Sequence, residues 1–130
     1  GNQLRIVFRH LPLKSIHRNA VPAARAAEAA GKQGKFWETH DLLFENQAEW
    51  SKMSNPKDAF VEYAGSLGLN LEQFKSDYDS DAIKDKIDRA FADATGAGLS
   101  STPTFLANSK KIQPRSYEEF KSLLNAELPK

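Results

Sequence analysis

The chain has 130 residues, of which 40% are apolar and 27% charged, with 8 Phe, 3 Tyr and 2 Trp. That is the size and composition of one globular domain, which excludes disordered and low-complexity classes. Lys and Arg number 18 against 17 Asp and Glu, so neither a strongly basic nucleic-acid binder nor an acidic tail protein is expected.

Residues 3–10 alternate. Leu4, Ile6 and Phe8 share one face and Arg5, Val7 and Arg9 the other, and that period of two predicts a strand. Val7 leaves the second face only partly polar, which suits helices on both sides. Leu11 to Arg18 contains Pro12 and reads as a loop. Asn19 is placed to cap a helix running to about residue 33, with Pro22 in its first turn, where a missing N–H costs nothing. The alanine-rich run at 23–30 has high helix propensity and small side chains suited to close packing. Gly31 and Gly34 mark a break, after which Phe36, Trp37, His40, Leu43 and Phe44 recur at helical spacing, predicting a second helix over 35–47.

Asn55-Pro56 is a helix start, Phe60, Val61, Ala64 and Leu67 form its stripe, and Gly68 ends it. Asn70 to Gln73 resembles a capping box opening a short helix with Phe74 and Tyr78. Residues 80–95 are the clearest amphipathic helix, with Ile83, Ile87, Ala90, Phe91 and Ala94 inside and an Asp85–Arg89 pair outside. Gly96 and Gly98 stop it. Thr104 to Ala107 then reads as a short strand, Asn108-Ser109 as a turn weaker than Asn-Gly, and Lys110 to Gln113 as the return strand. Ser116 to Glu119 is a capping box for a last helix with Tyr117, Phe120, Leu123 and Leu124 inside. Three strands around a helical block make a mixed α/β domain, with no internal repeat and no linker.

Candidate chemistry is sparse. The chain holds no cysteine, so disulfides, thiolate metal sites, cysteine nucleophiles and redox pairs within it are excluded. No metal site is expected from His10, His17 and His40: no His-x-x-x-His pair exists, and His40 and its neighbour Asp41 are expected on different helix faces. His40 reads as a packing residue between Phe36 and Phe44. No nucleophile elbow surrounds Ser100 or Ser101, and Gly31 and Gly34 do not form a phosphate loop. The basic bias of the first 18 residues, without aromatic platforms, reads as a solvated edge and not as a nucleic-acid site. Neither a membrane span nor a signal peptide is expected in the chain as given. Thr102-Pro103 would be trans by frequency alone, since only about 5–6% of X–Pro bonds are cis.

Ile6 to Leu13, the alanine-rich helix after Asn19-Ala20, the block from Gly31 to Asn46, Ser101-Thr102-Pro103-Thr104-Phe105 and Ser116 to Phe120 together resemble the DsbA-like thiol-disulfide oxidoreductases of the thioredoxin superfamily. The resemblance spans essentially the whole chain. It implies an incomplete thioredoxin-like α/β fold whose first strand and helix, with the family's Cys-x-x-Cys, are absent. The thioredoxin-like part would be residues 1–18 and 99–130, with a helical insertion at 19–98, in a single domain over 1–130. By the same resemblance Pro103 matches the family's cis-proline, and Thr102 and Pro103 are the substrate-binding residues, offering backbone to an extended peptide or unfolded protein. Ser101 and Asn108-Ser109 depart from the family's usual Gly and Asn-Gly.

No residue inherits the redox nucleophile, no cofactor is implied, and the chain alone should be inactive in disulfide exchange. The alternatives are a non-enzymatic thioredoxin-like peptide-binding or chaperone module and a glutathione-linked relative. The resemblance also implies a parent protein of the cell envelope, periplasmic or extracellular. In that fold the absent strand lies between the strands at 4–10 and 104–107. Its loss would orphan on the order of ten backbone groups, at about 1–3 kcal/mol each if buried. Either those edges close on each other or another chain fills the gap, and a homodimer through exposed strand edges is the expectation.

Overall fold

The computed structural model describes residues 3–128. Its centre is α1 (Ala20–Gly31), which packs against α2 (Phe36–Glu45), α4 (Lys57–Ser66), α5 (Leu71–Tyr78) and α6 (Asp81–Gly96), with the one-turn α3 (Gln47–Trp50) between α2 and α4. The alanines explain the close approach: Ala26, Ala29 and Ala30 are fully buried, leaving room for Phe60, Phe74, Ile83 and Ile87 from the surrounding helices. Trp50 completes the cluster, its indole N–H donating to the Leu43 carbonyl at 2.7 Å.

Several boundaries carry their expected chemistry. Asn70, Ser80 and Ser116 each accept a hydrogen bond from the backbone N–H three residues on, at the starts of α5, α6 and α7 (Tyr117–Ala126). Gly68 and Gly98 have φ of +75° and +80°, the left-handed conformation that ends α4 and α6. The hairpin pairs β1 (Phe105–Ala107) antiparallel with β2 (Lys110–Ile112), Ala107 opposite Lys110. Asn108 and Ser109 form its two-residue loop, both at positive φ, as a type I′ turn requires.

Other expectations need correction. Residues 4–10 are extended but form no ladder, so the sheet of the described residues has two strands and not three. Alternation says which side chains share a face; a strand exists only when its N–H and C=O groups meet a neighbour's. Nor do the segments at 4–10 and 105–107 close on each other. The helix expected over 35–47 breaks at Asn46, whose side-chain amide turns back to the Leu42 carbonyl at 2.8 Å. Asp85 and Arg89 form no carboxylate pair: the guanidinium donates to the Asp85 carbonyl at 3.3 Å, and Lys84 faces Asp88 at 3.9 Å instead. Tyr117 is 74% exposed, and α7 buries no residue completely. Asn19 stands at the start of α1 but does not cap it, because its amide reaches across the fold to the Trp50 and Met53 carbonyls, each at 2.8 Å.

Candidate functional site

Two surfaces carry exposed apolar side chains beside unpaired backbone. The first is built on the segment before α1. Among residues 4–11 no backbone N–H is donated to another group of the described residues. The segment is held instead by side chains. Phe8 lies in an aromatic cluster, its ring centroid 5.2 Å from His10 and His40 and 5.6 Å from Phe36, with Trp37 and Phe44 at the cluster's edge. His40 is thus a packing residue, as expected. It also reaches its neighbour, Nδ1 lying 3.1 Å from Asp41 Oδ1, which corrects the expectation that the two face apart.

Two residues beyond Phe8, His10 turns inward and is only 7% exposed. Its Nε2 lies 2.8 Å from Glu28 Oε1, and Lys86 Nζ lies 2.7 Å from the other carboxylate oxygen. The His10 hydrogen bond is the largest influence on Glu28. Burial pushes its carboxyl up, Lys86 pulls it further down, and the result is a fall from the ordinary 4.5 to about 2. Glu28 is therefore ionised throughout the neutral range. Sequence reasoning passed over this cluster. The available signal was a single carboxylate on a helix whose neighbouring faces are buried alanine.

An open groove of about 640 Å³ runs beside the same segment, with Arg5 to Phe8 on one side, Lys32, Phe36 and Trp37 on a second, and Ile83, Lys86 and Arg89 on a third. Among the described residues no group of three His, Asp or Glu side chains is placed to hold a metal ion.

The second surface holds the residues singled out by resemblance. Thr102 and Pro103 are exposed, and the peptide bond between them is cis. They lead directly into β1, which pairs with β2 on one edge and with nothing described on the other. Phe105 packs on Phe120 of α7 at 5.2 Å, while Leu106 is 54% exposed. Neither Thr102 nor Pro103 lines the groove beside Arg5 to Phe8, so the two surfaces are separate.

The family profile described as Thioredoxin matches residues 1–126, nearly the whole chain. The chain belongs to the thioredoxin family. Within that family it is an α/β thioredoxin-like domain of mixed helices and a small two-stranded sheet. It is 37% identical over 113 residues to the Na(+)/H(+) antiporter NhaA of Herminiimonas arsenicoxydans, covering 87% of this chain and 17% of that protein. It is 44% identical over 111 residues to Na(+)/H(+) antiporter NhaA 1 of Salinispora arenicola, covering 83% and 16%. Na(+)/H(+) antiporter NhaA 1 of Mycolicibacterium gilvum is 38% identical over 115 residues, covering 85% and 18%. The chain thus spans less than a fifth of the length of these relatives. Among the described residues no helix is long and apolar enough to cross a membrane.

Proposed function

We propose that this thioredoxin-like chain is the peptide-holding part of a DsbA-like thiol–disulfide exchange unit acting outside the cytoplasm. An extended or unfolded polypeptide lies against Thr102 and Pro103. Residues 1–18 and 99–130 form the thioredoxin-like part and 19–98 the helical block inserted in it. The chain itself moves no electrons: it has no cysteine, so the sulfur of any exchange comes from outside these 130 residues. The observation that carries the reading is the exposed Thr102-Pro103 pair entering a strand with one unpaired edge, in a chain of the thioredoxin family. The Thr102 backbone makes no hydrogen bond among the described residues and is free to meet an extended chain.

The test is a titration of the labelled protein with an unfolded, cysteine-free peptide, read by amide chemical shifts. Shifts at Thr102, Thr104 and Leu106, lost in Thr102→Arg, support the reading. Shifts elsewhere, or none at millimolar peptide, sink it. Insulin reduction above blank by the chain alone would contradict its redox silence. The same edge is where two copies would pair. A monomer by sedimentation at micromolar concentration counts against that homodimer.

The relatives favour a second reading. Their names are those of antiporters, and the match covers only a small part of each. In that reading the chain is a non-enzymatic peptide-binding module carried by a larger transport protein. The full-length gene product separates the two. Thiol–disulfide exchange by a Cys-x-x-Cys next to this region supports the first, and peptide binding without such exchange supports the second.

A further inference from the structure

We infer that Asn108 is a site of spontaneous deamidation, and that its conversion to aspartate or isoaspartate releases the β1–β2 turn from the end of α7. In this reaction the backbone nitrogen of the next residue attacks the asparagine side chain. It therefore needs an exposed asparagine, a following N–H that is not already donated, and a small side chain beside that N–H. Asn108 and Ser109 are both exposed, and the side chain of Ser109 is short. The Ser109 N–H is given to no acceptor among the described residues. The Asn108 amide is held only by long contacts, 3.4 Å to Oε2 of Glu127 and 3.5 Å to the Glu127 carbonyl. The other described asparagines each lack a requirement. Asn19 is buried, and its amide is donated at 2.8 Å to two carbonyls. Asn46 donates to the Leu42 carbonyl at 2.8 Å and precedes the long side chain of Gln47. Asn55 precedes Pro56, which has no N–H. Asn70 holds the Gln73 N–H at 2.9 Å and precedes the branched Leu71. Asn125 and Ala126 lie in the last turn of α7, where the backbone is fixed as helix.

The step balances without an oxidant or a reductant. The Ser109 nitrogen bonds to Cγ of Asn108, the Cγ–Nδ2 bond breaks, and the proton from the Ser109 nitrogen leaves on ammonia. One water then opens the resulting succinimide, at one carbonyl to aspartate or at the other to isoaspartate. The two residues sit at φ of +49° and +69°, held there by the pairing of Ala107 with Lys110, so ring closure follows a local opening of the turn. The product cannot restore the old contacts. A carboxylate with no proton to donate now faces Oε2 and the carbonyl of Glu127. Lys110, whose Nζ lies 3.2 Å from Oε1 of Glu127, screens part of that repulsion but cannot replace the lost donor. Isoaspartate also adds a backbone carbon to a loop built for two residues, and the register of Ala107 with Lys110 goes with it. The modification thus acts on the hairpin that follows Pro103, and it does not depend on what Thr102 and Pro103 hold.

The test is incubation of the folded protein in mildly alkaline buffer, followed by peptide mapping in a mass spectrometer. Labelling with an isoaspartyl methyltransferase counts the isoaspartate. The peptide carrying Asn108 should gain one mass unit before that of any other described asparagine, with isoaspartate as the larger product. Ser109→Gly removes the Cβ that crowds the attacking nitrogen and should speed the conversion several-fold, its firmer turn offsetting only part of the gain. Asn108→Gln should abolish it. Asn108→Asp supplies one product directly, and its Lys110 amide should exchange hydrogen several-fold faster than in the unaltered protein. These substitutions fall in an exposed turn, so circular dichroism should show each variant folded. A different described asparagine converting first overturns the site, as does a Ser109→Gly rate no higher than that of the unaltered protein. Lys110 exchange unchanged both in Asn108→Asp and in the aged protein overturns the release from α7.

Discussion

Nε2 of His10 lies 2.8 Å from Oε1 of Glu28, eighteen residues further along the chain, and this contact fastens the extended segment before α1 to the central helix. The consequence is a stability that depends on acid. The folded carboxyl titrates at about 2, below its ordinary 4.5. A depressed folded pKa stabilises the native state above the unfolded value, and that contribution is lost as pH falls through the folded one. Glu28 is 14% exposed and Lys86 sits in solvent, so the contribution at neutral pH is on the order of 2 kcal/mol after screening. Urea unfolding should therefore show the native protein losing that much between pH 4.5 and 2. Glu28→Gln should be less stable by a similar amount at pH 7 and flatter across the same window. Parallel pH curves for the two proteins would remove the ion cluster from the account.

Asn19 makes a sharper test, because two roles predict opposite substitutions. A helix cap is served as well by Asp as by Asn. The observed Asn19 amide instead donates to the Trp50 and Met53 carbonyls, with Ser51 at 3.3 Å, and its residue is buried. A carboxylate there faces carbonyl oxygens and has no proton to give. Asn19→Ala should cost about 2–3 kcal/mol by orphaning buried acceptors. Asn19→Asp should cost at least as much. An Asp variant of native stability by denaturant melt would restore the capping role.

The alanines of α1 predict the cost of size. Ala29 is fully buried where α1 meets its neighbours, and a larger side chain there must displace packed atoms. Ala29→Val should destabilise by about 1–3 kcal/mol. Ala23 is only partly buried at the margin of the core, and the same change there should cost less. Equal midpoints for the two variants in urea would mean that α1 is not as tightly enclosed as its burial indicates.

What the sequence made legible was local. Phe60, Ala64, Ile83 and Ile87 lie inside as their spacing predicts, although Ala90, Phe91 and Ala94 of the same stripe are only half-buried, and Asn70, Ser80 and Ser116 cap their helices because a cap needs only the next three residues. What depended on distant partners was not legible. The alternation at 4–8 says nothing about whether another strand runs alongside, and none of the described residues does. The role of Asn19 is set by carbonyls more than thirty residues away. Glu28 acquires its meaning from His10 and Lys86, which no periodicity connects. The apolar positions of α7 point toward little that is described, so Tyr117 stays exposed although its helix pattern places it inside. For the site the balance is similar. Thr102 and Pro103 were singled out by resemblance, while the groove is assembled from three separate parts of the chain and exists only in the fold.

The turn between β1 and β2 offers a gain in stability. Asn108 and Ser109 sit at φ of +49° and +69°. Asn tolerates that region because its short amide bonds locally, whereas Ser pays the steric cost of a Cβ there, and Gly pays none. Asn-Gly is accordingly the preferred pair for a two-residue hairpin. The side chain of Ser109 forms no hydrogen bond among the described residues and the residue is exposed, so little opposes its removal. The greater freedom of Gly in the unfolded chain offsets part of the gain. Ser109→Gly should therefore stabilise the protein by about 0.5 kcal/mol, and Ser109→Val should destabilise it by at least as much, because a β-branched side chain is worse placed at positive φ. Both are read from urea midpoints at constant slope. If the two variants melted alike, the loop would have to relax out of its two-residue form, taking the register of Ala107 with Lys110 with it.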